Sequence, residues 1–430
     1  MKFLYSDTQD YVDPGYDFIN DRNAPEREKY WSDAYAHELM NPAPYDGLLV
    51  AMSAVRQAPS VPSSKVRYST PEEQRMLRDG ARQFLRFDGP RFHDSMLMGD
   101  CGAFAYAELP SPAFSPEEVV EFYLDGGFTH GVSPDHIVFE CDLDNPSAAS
   151  RPEDVRFRYD ITLANAEHFL KLARQQDSAF VPLGAVQGWS PDSMGEAAAS
   201  LEKMGFNYLA VGGLVPLKPN AIKAVLSAIR SKIAPDTRLH LLGFAKADHI
   251  HEFTGFGIAS FDSTSPLIRA FKDNKANYYV PAPGGGIDYY AAIRIPQAIE
   301  NPRLVQGIKR GLFCAEELHA KERNALDSLR AYDREELPLD ATLDAVLWYH
   351  QFLIRCSLDL SAQQQYNELQ KVRENSLRTL GDRPWKRCDC DICAAIGVEV
   401  IIFRSSNRNK RRGFHNLGVY HRHVQSIRGN

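Results

Sequence analysis

Between about residues 47 and 297 the chain alternates short apolar runs with longer stretches whose apolar residues recur every three or four positions. The short runs fall at 48–55, 95–98, 136–139, 181–186, 208–211, 239–244, 258–261 and 289–295. Runs of this length, bounded by polar residues, read as strands buried on both faces. Between them, 71–85, 115–124, 163–174, 191–204 and 219–233 carry helical spacing. Thr70-Pro71 and Ser115-Pro116, each followed by two glutamates, put a hydroxyl before a first-turn proline and early acids, which is how helices begin. Eight strand candidates alternating with helices predict an α/β protein with a parallel sheet. The number favours a closed (β/α)8 TIM barrel over a doubly wound open sheet. No GxGxxG or GxxxxGK[ST] follows any of the runs, so the usual nucleotide-fold signature is missing.

Past residue 301 the texture changes. Leu, Ala, Glu, Arg and Gln dominate, β-branched residues are few, and helices are predicted over 316–332, 342–358 and 362–380. The expected organisation is a barrel with an N-terminal extension at 1–300, a helical insertion at 301–386, and a metal-binding basic segment at 387–430. At 430 residues, with 44% hydrophobic and 24% charged positions, the chain has an ordinary globular composition with room for more than one core. No apolar run approaches the roughly 18 residues that span a bilayer, and the N-terminus turns acidic without an apolar signal region. The expectation is a cytoplasmic protein without a membrane partner.

The formal net charge is −7, so a polyanion would have to be held by a local patch. One candidate is the C-terminal stretch from residue 401, where Arg404, Arg408, Lys410, Arg411, Arg412, Arg422 and Arg428 occur without an acid. Of seven cysteines, Cys101, Cys141, Cys314 and Cys356 are scattered, which argues against a disulfide framework. Cys388, Cys390 and Cys393 are different: three thiols within six residues can face one tetrahedral ion, and a distant fourth ligand closes the site. His415, His421 and His423 lie downstream, and spacing alone leaves the choice among them open. A closed four-ligand zinc site is structural, since it leaves no position for a reacting water.

In a barrel the chemistry sits at the C-terminal ends of the strands. Reading those ends gives Asp100 in GDCGAF, Asp135 in VSPDHI, Gln187 in AVQG, Gly212 and Gly213 in AVGGL, and Asp262 in FDS. A single aspartate there would more often be a helix cap. Three at corresponding positions suit displacement at an anomeric carbon, one carboxylate attacking and another handling the proton. An uncharged amide and a glycine backbone suit the edge of a planar heterocycle. No lysine sits at a strand end for a Schiff base.

At these residues the sequence resembles the tRNA-guanine transglycosylase superfamily, through the five rim motifs in order and the terminal CxCxxC followed by His415-Asn416. The resemblance implies Asp262 as the nucleophile, Asp100 as general acid/base, and Asp135, Gln187, Gly212 and Gly213 as the base-binding groups. It also implies Cys388, Cys390, Cys393 and His415 as ligands of a structural Zn2+. Two departures stand out. After Asp262 the expected Pro-Thr-Arg reads Pro266-Leu267-Ile268, with Phe271 in place of a second arginine. Where a glutamate would support a cationic aminomethyl base, the chain has Lys218. With the opening KFLYSDTQDYVDPGYDF, these departures resemble the DNA-directed, DpdA-type branch. That branch implies insertion of the neutral 7-deazaguanine base preQ0 into DNA in place of guanine, within a restriction–modification system that includes a partner protein. Three other readings compete: a tRNA-directed transglycosylase, a non-catalytic zinc-containing nucleic-acid-binding subunit, and a hydrolase that only removes the base.

Overall fold

The computed structural model describes residues 1–430 except 8, 59–60, 140, 143–151, 177–179, 245–246, 358–359 and 429–430. Eight parallel strands close into a barrel: β1 (Lys2–Ser6), β2 (Gly47–Ala51), β3 (Met96–Asp100), β4 (His130–Val132), β5 (Val181–Val186), β6 (Tyr208–Val211), β7 (Arg238–Leu241) and β8 (Ile258–Asp262). Each strand pairs with its sequence neighbour, and β1 closes the ring against β8, with Leu4 opposite Asp262. The (β/α)8 expectation holds. Helices α1 (Pro116–Asp125), α2 (Glu153–Gln175), α3 (Pro191–Met204) and α4 (Pro219–Arg230) lie between strands, and their starts follow local rules. Ser115 accepts a hydrogen bond from the Glu118 amide at 3.3 Å while the Glu118 carboxylate accepts one from the Ser115 amide at 2.7 Å, with Pro116 in the first turn. In the earlier helix the cap falls on Ser69, one residue before the expected Thr70, because Glu72 reaches back to the Ser69 amide at 2.8 Å.

Three strand expectations are corrected. The run at 136–139 is not a strand; the shorter His130–Val132 takes that place. Pro134 interrupts the run's approach, and its amides go to side chains instead: His136 N–H to Thr162 Oγ1 at 3.0 Å and Val138 N–H to Gln187 Oε1 at 3.3 Å. The run at 289–295 divides between two small pairs outside the barrel, Ile287–Tyr290 against Tyr278–Pro281 and Ile293–Arg294 against Ile402–Phe403. The eighth strand is Lys2–Ser6 at the chain start, which the sequence pattern did not single out.

Side-chain alternation fills the barrel. Leu4, Leu49, Met96, Met98, Val132, Leu183, Ala185, Tyr208 and Ala210 form one buried cluster, and most are spaced by two along their strands. Continuing that inward parity by one step reaches Ser6, Asp100, Gln187 and Gly212, and on β8 Asp262. The same alternation that packs the core therefore delivers the polar rim.

The contacts group the chain into two compact units. The barrel unit comprises Met1–Gln9, Tyr45–Thr264 and Val424–Asn430, and the second unit Asp10–Pro44 and Ser265–His423. Within the second unit are α5 (Ser265–Lys272), α6 (Pro302–Lys309), α7 (Ala315–Asp333), α8 (Leu339–Arg355), α9 (Ala362–Asp382) and most of α10 (Ser406–Arg428). The expected helices at 316–332, 342–358 and 362–380 correspond to α7, α8 and α9, which pack in sequence, α7 on α8 and α8 on α9. Among the described residues no helix is long and apolar enough to cross a membrane.

Candidate active site and metal centre

The barrel rim brings Asp100, Asp135, Gln187, Gly212, Gly213 and Asp262 to one mouth. Asp262 ends β8 and is 6% exposed. Its carboxylate accepts from Ser6 Oγ on Oδ2 at 2.6 Å, and on Oδ1 from the Gly243 amide at 2.8 Å and His240 Nε2 at 3.3 Å. These three donors, from the end of β1 and from β7 and the loop after it, fix the plane of the group and leave lone pairs for a reacting atom.

Asp100 ends β3, and its Oδ2 accepts from the Gly102 amide at 3.0 Å. Gly102 adopts φ +78°, and a Cβ there would lie 1.9 Å from Ser53 Oγ, so only glycine lets this loop turn back on the carboxylate. Burial first, then the charges of Asp135 and Asp262, raise the Asp100 pKa to about 7. A carboxyl poised there can give a proton and take one back at neutral pH. If it acts as the acid, guanine release in a single turnover is expected to slow above pH 7, by about tenfold per unit. The folded state keeps this proton through the window between the unfolded value and 7, so its stability contribution falls as pH rises through that window. Asp100→Asn is therefore expected to raise the melting free energy at pH 8 by about 1–3 kcal/mol and to change it little at pH 4. Melting curves at the two pH values check this.

Asp135 lies three residues beyond β4, buried, and burial raises its pKa. Gln187 Nε2 donates to its Oδ2 at 2.6 Å and Cys101 Sγ to its Oδ1 at 3.1 Å. Burial and the Asp135 and Asp100 charges push the Cys101 thiol well above its usual range, which keeps it a donor. Tyr106 Oη braces the same corner, 3.0 Å from Cys101 Sγ and 3.2 Å from the Asp135 carbonyl. Val138 N–H on Oε1 fixes the Gln187 amide so that its NH2 faces Asp135. A Cβ on Gly212 would sit 2.3 Å from Gln187 Nε2, and Gly213 adopts φ +71°. The two glycines thus leave space for the amide and expose backbone at the rim. Phe104 and Phe139, 55% and 42% exposed with ring centroids 6.1 Å apart, follow the two aspartate loops.

Sequence reasoning did not pick out Ser6, His240, Tyr106 or the two exposed phenylalanines. The signal for Ser6 and His240 was inward parity on strands whose barrel positions only closure reveals. Lys218 is exposed, immediately before α4.

In the second unit, Cys388, Cys390, Cys393 and His415 bring their donor atoms within 4.8 Å of one another, a group that could hold a metal ion. His415 Nδ1 is 3.6, 3.3 and 3.3 Å from the three sulfurs, close to the edge of about 3.6 Å in a tetrahedron of three sulfurs and one nitrogen around zinc. His415 Nε2 lies 2.7 Å from the Tyr279 carbonyl, which only accepts, so Nδ1 is left as a lone pair toward the thiols. Tyr278 stacks on the imidazole at 4.1 Å, and Asn416 accepts from the Tyr279 amide at 2.9 Å. His421 and His423 are not in the cluster.

Most of the basic C-terminal stretch is used internally, while Arg422 is exposed and the Arg428 side chain lies outside the described residues. Arg404 pairs with Asp21 at 2.5 Å and Glu322 at 2.5 Å, and Arg408 pairs with Asp21 and with Glu399 at 2.7 Å. Arg411 and Arg412 are buried on Asn407, Asn409 and backbone carbonyls. Asp21 and Glu322 come from the 10–44 and helical segments, which sequence order had kept apart from this stretch, and Glu399 lies just before it.

The model of the family "Queuine tRNA-ribosyltransferase" matches residues 63–276. A DNA-guanine transglycosylase of Salmonella montevideo is 38% identical over 427 residues, 99% of this chain and 97% of that protein. The tRNA-guanine(15) transglycosylases of Methanothermobacter thermautotrophicus and Thermococcus kodakarensis are 24% and 28% identical. Those matches cover 48% and 50% of this chain, and only 30% and 34% of the archaeal proteins. The chain belongs to the queuine tRNA-ribosyltransferase family of transglycosylases, and within it to the branch of the DNA-guanine transglycosylase.

Proposed function

We propose that the protein exchanges guanine in DNA for the 7-deazaguanine base preQ0 through a covalent Asp262 intermediate. The observation that carries this is the pairing of roles in one mouth: Asp262 held in a fixed plane by three donors, and Asp100 with a pKa of about 7. An Asp262 oxygen forms the bond to C1′ while the C1′–N bond breaks, and the departing base nitrogen takes the Asp100 proton. The incoming base then gives its N–H proton to Asp100, its nitrogen attacks C1′, and the bonding pair returns to Asp262. Asp135 and Gln187, with the Gly212–Gly213 backbone, meet the heterocycle edge. Phe104 and Phe139 offer faces on which an extruded nucleotide can stack. A neutral incoming base fits a chain with Lys218 where a glutamate would stand. DNA, not tRNA, is the substrate favoured by the full-length relative and by Pro266-Leu267-Ile268 after the nucleophile motif. The test is exchange of labelled guanine into plasmid DNA and into tRNA side by side. Label entering DNA supports the proposal, and label entering only tRNA sinks it. Abasic sites accumulating without preQ0 would instead mark a hydrolase.

The cluster of three cysteines and His415 is proposed to hold Zn2+ structurally, with all four ligands supplied by the chain. With Arg404, Arg408, Arg411 and Arg412 used internally, the phosphate grip draws on other cations. Arg294, Arg303, Arg310 and Lys371 line a cavity of about 1020 Å3 in the second unit, with Glu368 as the acid among its described lining residues. Replacing Arg303 and Arg310 together by alanine is expected to weaken DNA binding at low salt. It should also lower the slope of log affinity against log salt by about 2. A titration at several salt concentrations measures both.

A further inference from the structure

Inside the barrel, below Asp262, a row of polar side chains interrupts the apolar filling. Tyr208 on β6, His240 on β7 and Ser260 on β8 are buried, at most 1% exposed, and His240 and Ser260 are register partners. Tyr208 Oη lies 2.5 Å from Ser260 Oγ, Ser260 Oγ lies 2.6 Å from His240 Nδ1, and His240 Nε2 lies 3.3 Å from Asp262 Oδ1. Burying such groups among Leu, Met and Ala side chains costs stability unless every donor is used, so the bonds must form a consistent set.

For a neutral imidazole beside a carboxylate, one direction of donation satisfies all of them. The carboxylate can only accept, so His240 Nε2 carries the hydrogen. Nδ1 is then a lone pair that accepts from the Ser260 hydroxyl, and Ser260 in turn accepts from the Tyr208 hydroxyl. Three residues with no place in base recognition or proton transfer thus fix one histidine tautomer, and that tautomer aims an N–H at the proposed nucleophile.

Given the covalent role proposed for Asp262, we infer that the Tyr208–Ser260–His240 chain is a positioning relay that sets how readily Asp262 is released from C1′. In the first half of the exchange Asp262 attacks, and a donor on its oxygen slightly restrains it. In the second half the incoming base nitrogen forms its bond to C1′, the C1′–O pair returns to the carboxylate, and the charge that develops is met by His240 Nε2–H and the Gly243 amide. The relay favours release over retention, which an exchange enzyme needs and a trapped adduct would defeat.

The test uses the full-length protein with a DNA substrate, quenched on a denaturing gel that separates the covalent protein–DNA adduct, then chased with free base. His240→Ala is expected to let adduct accumulate and to slow its chase by about 10–100-fold, with adduct formation slowed less. Ser260→Ala, which removes the donor that selects the tautomer, should slow the chase by less, and Tyr208→Phe by about two- to fivefold. His240→Gln, whose amide supplies an acceptor and a donor spaced like the two ring nitrogens, should recover part of the chase rate. Melting temperatures of all variants are measured in the same buffer, and Tyr208→Phe removes one hydroxyl only, so one member of the series stays folded. Wild-type adduct level and chase rate in the His240 and Ser260 variants would overturn the relay. So would equal slowing of both half-reactions. Failure of the wild-type protein to form any adduct, with DNA or tRNA, would instead overturn the covalent role of Asp262.

Discussion

Asp262→Asn is expected to lower base exchange by at least about 10⁴-fold, close to 5.5 kcal/mol of lost transition-state stabilisation, while leaving the fold unchanged. Asparagine keeps the shape of the side chain and an oxygen at Oδ1 for the Gly243 amide and His240. The Ser6 hydroxyl can rotate to accept from the new NH2, so all three buried bonds survive. Melting should shift by no more than about 0.5 kcal/mol. Asp262→Ala is the poorer probe. It strands the Gly243 N–H and the His240 N–H in a buried place and is expected to cost about 1–3 kcal/mol of stability as well as activity. Radiolabelled guanine exchange measures the loss, and intact-mass analysis after incubation with DNA reads the adduct, which is expected for the wild type and not for Asp262→Asn. Exchange that survives in Asp262→Asn would assign the attack to another group at the mouth.

The two carboxylates sit in different surroundings at one mouth. Asp262 receives three donors, a backbone amide, an imidazole N–H and a hydroxyl. Asp100 receives the Gly102 amide, and burial first, then the charges of Asp135 and Asp262, push its proton affinity up. In the proposed mechanism these different surroundings suit one group to attack and the other to proton transfer near neutral pH.

Much of this was legible in the chain before any coordinates. Val181–Val186 and Tyr208–Val211 were bounded by polar residues on both sides, and their spans match the strands observed. Asp100, Gln187 and Asp262 could be placed at the rim because each follows an apolar run directly. Lys2–Ser6 was hidden by the acidic residues after it and by the absence of a helical pattern between it and the next run. Its place follows only from the need of β2 and β8 for a partner, a closure that no local pattern encodes. Ser6 and His240 were illegible for the same reason: a serine near the start and a histidine inside an apolar run look ordinary until parity and closure aim them at one carboxylate. The C-terminal arginines failed in the opposite sense. A run of bases without acids reads as a surface patch, but Asp21 and Glu322 reach it from elsewhere in the second unit and Glu399 from just before it.

Removing the metal is expected to have the second largest effect, on structure before chemistry. One zinc per chain should be found by elemental analysis, and stripping it, or replacing Cys390 by serine, should unfold the metal segment of the second unit. Loss of a closed thiolate–imidazole site costs a large part of the roughly 10–16 kcal/mol that such sites supply in small metal-dependent folds. The consequence is local in a definable way. His415 holds the Tyr279 carbonyl, Asn416 holds the Tyr279 amide and the Pro266 carbonyl, and Tyr278 stacks on His415. Without the ion, amide-exchange protection should therefore collapse along Tyr278–Pro281 and the middle of α10. The barrel strands β5 to β7, whose hydrogen bonds close on one another, should keep theirs. The histidines separate cleanly in the same experiment: His415→Ala loses the metal, whereas His421→Ala and His423→Ala keep a full complement. A metal-free protein with wild-type exchange protection at residues 278–281 would show that these thiols support the fold without an ion.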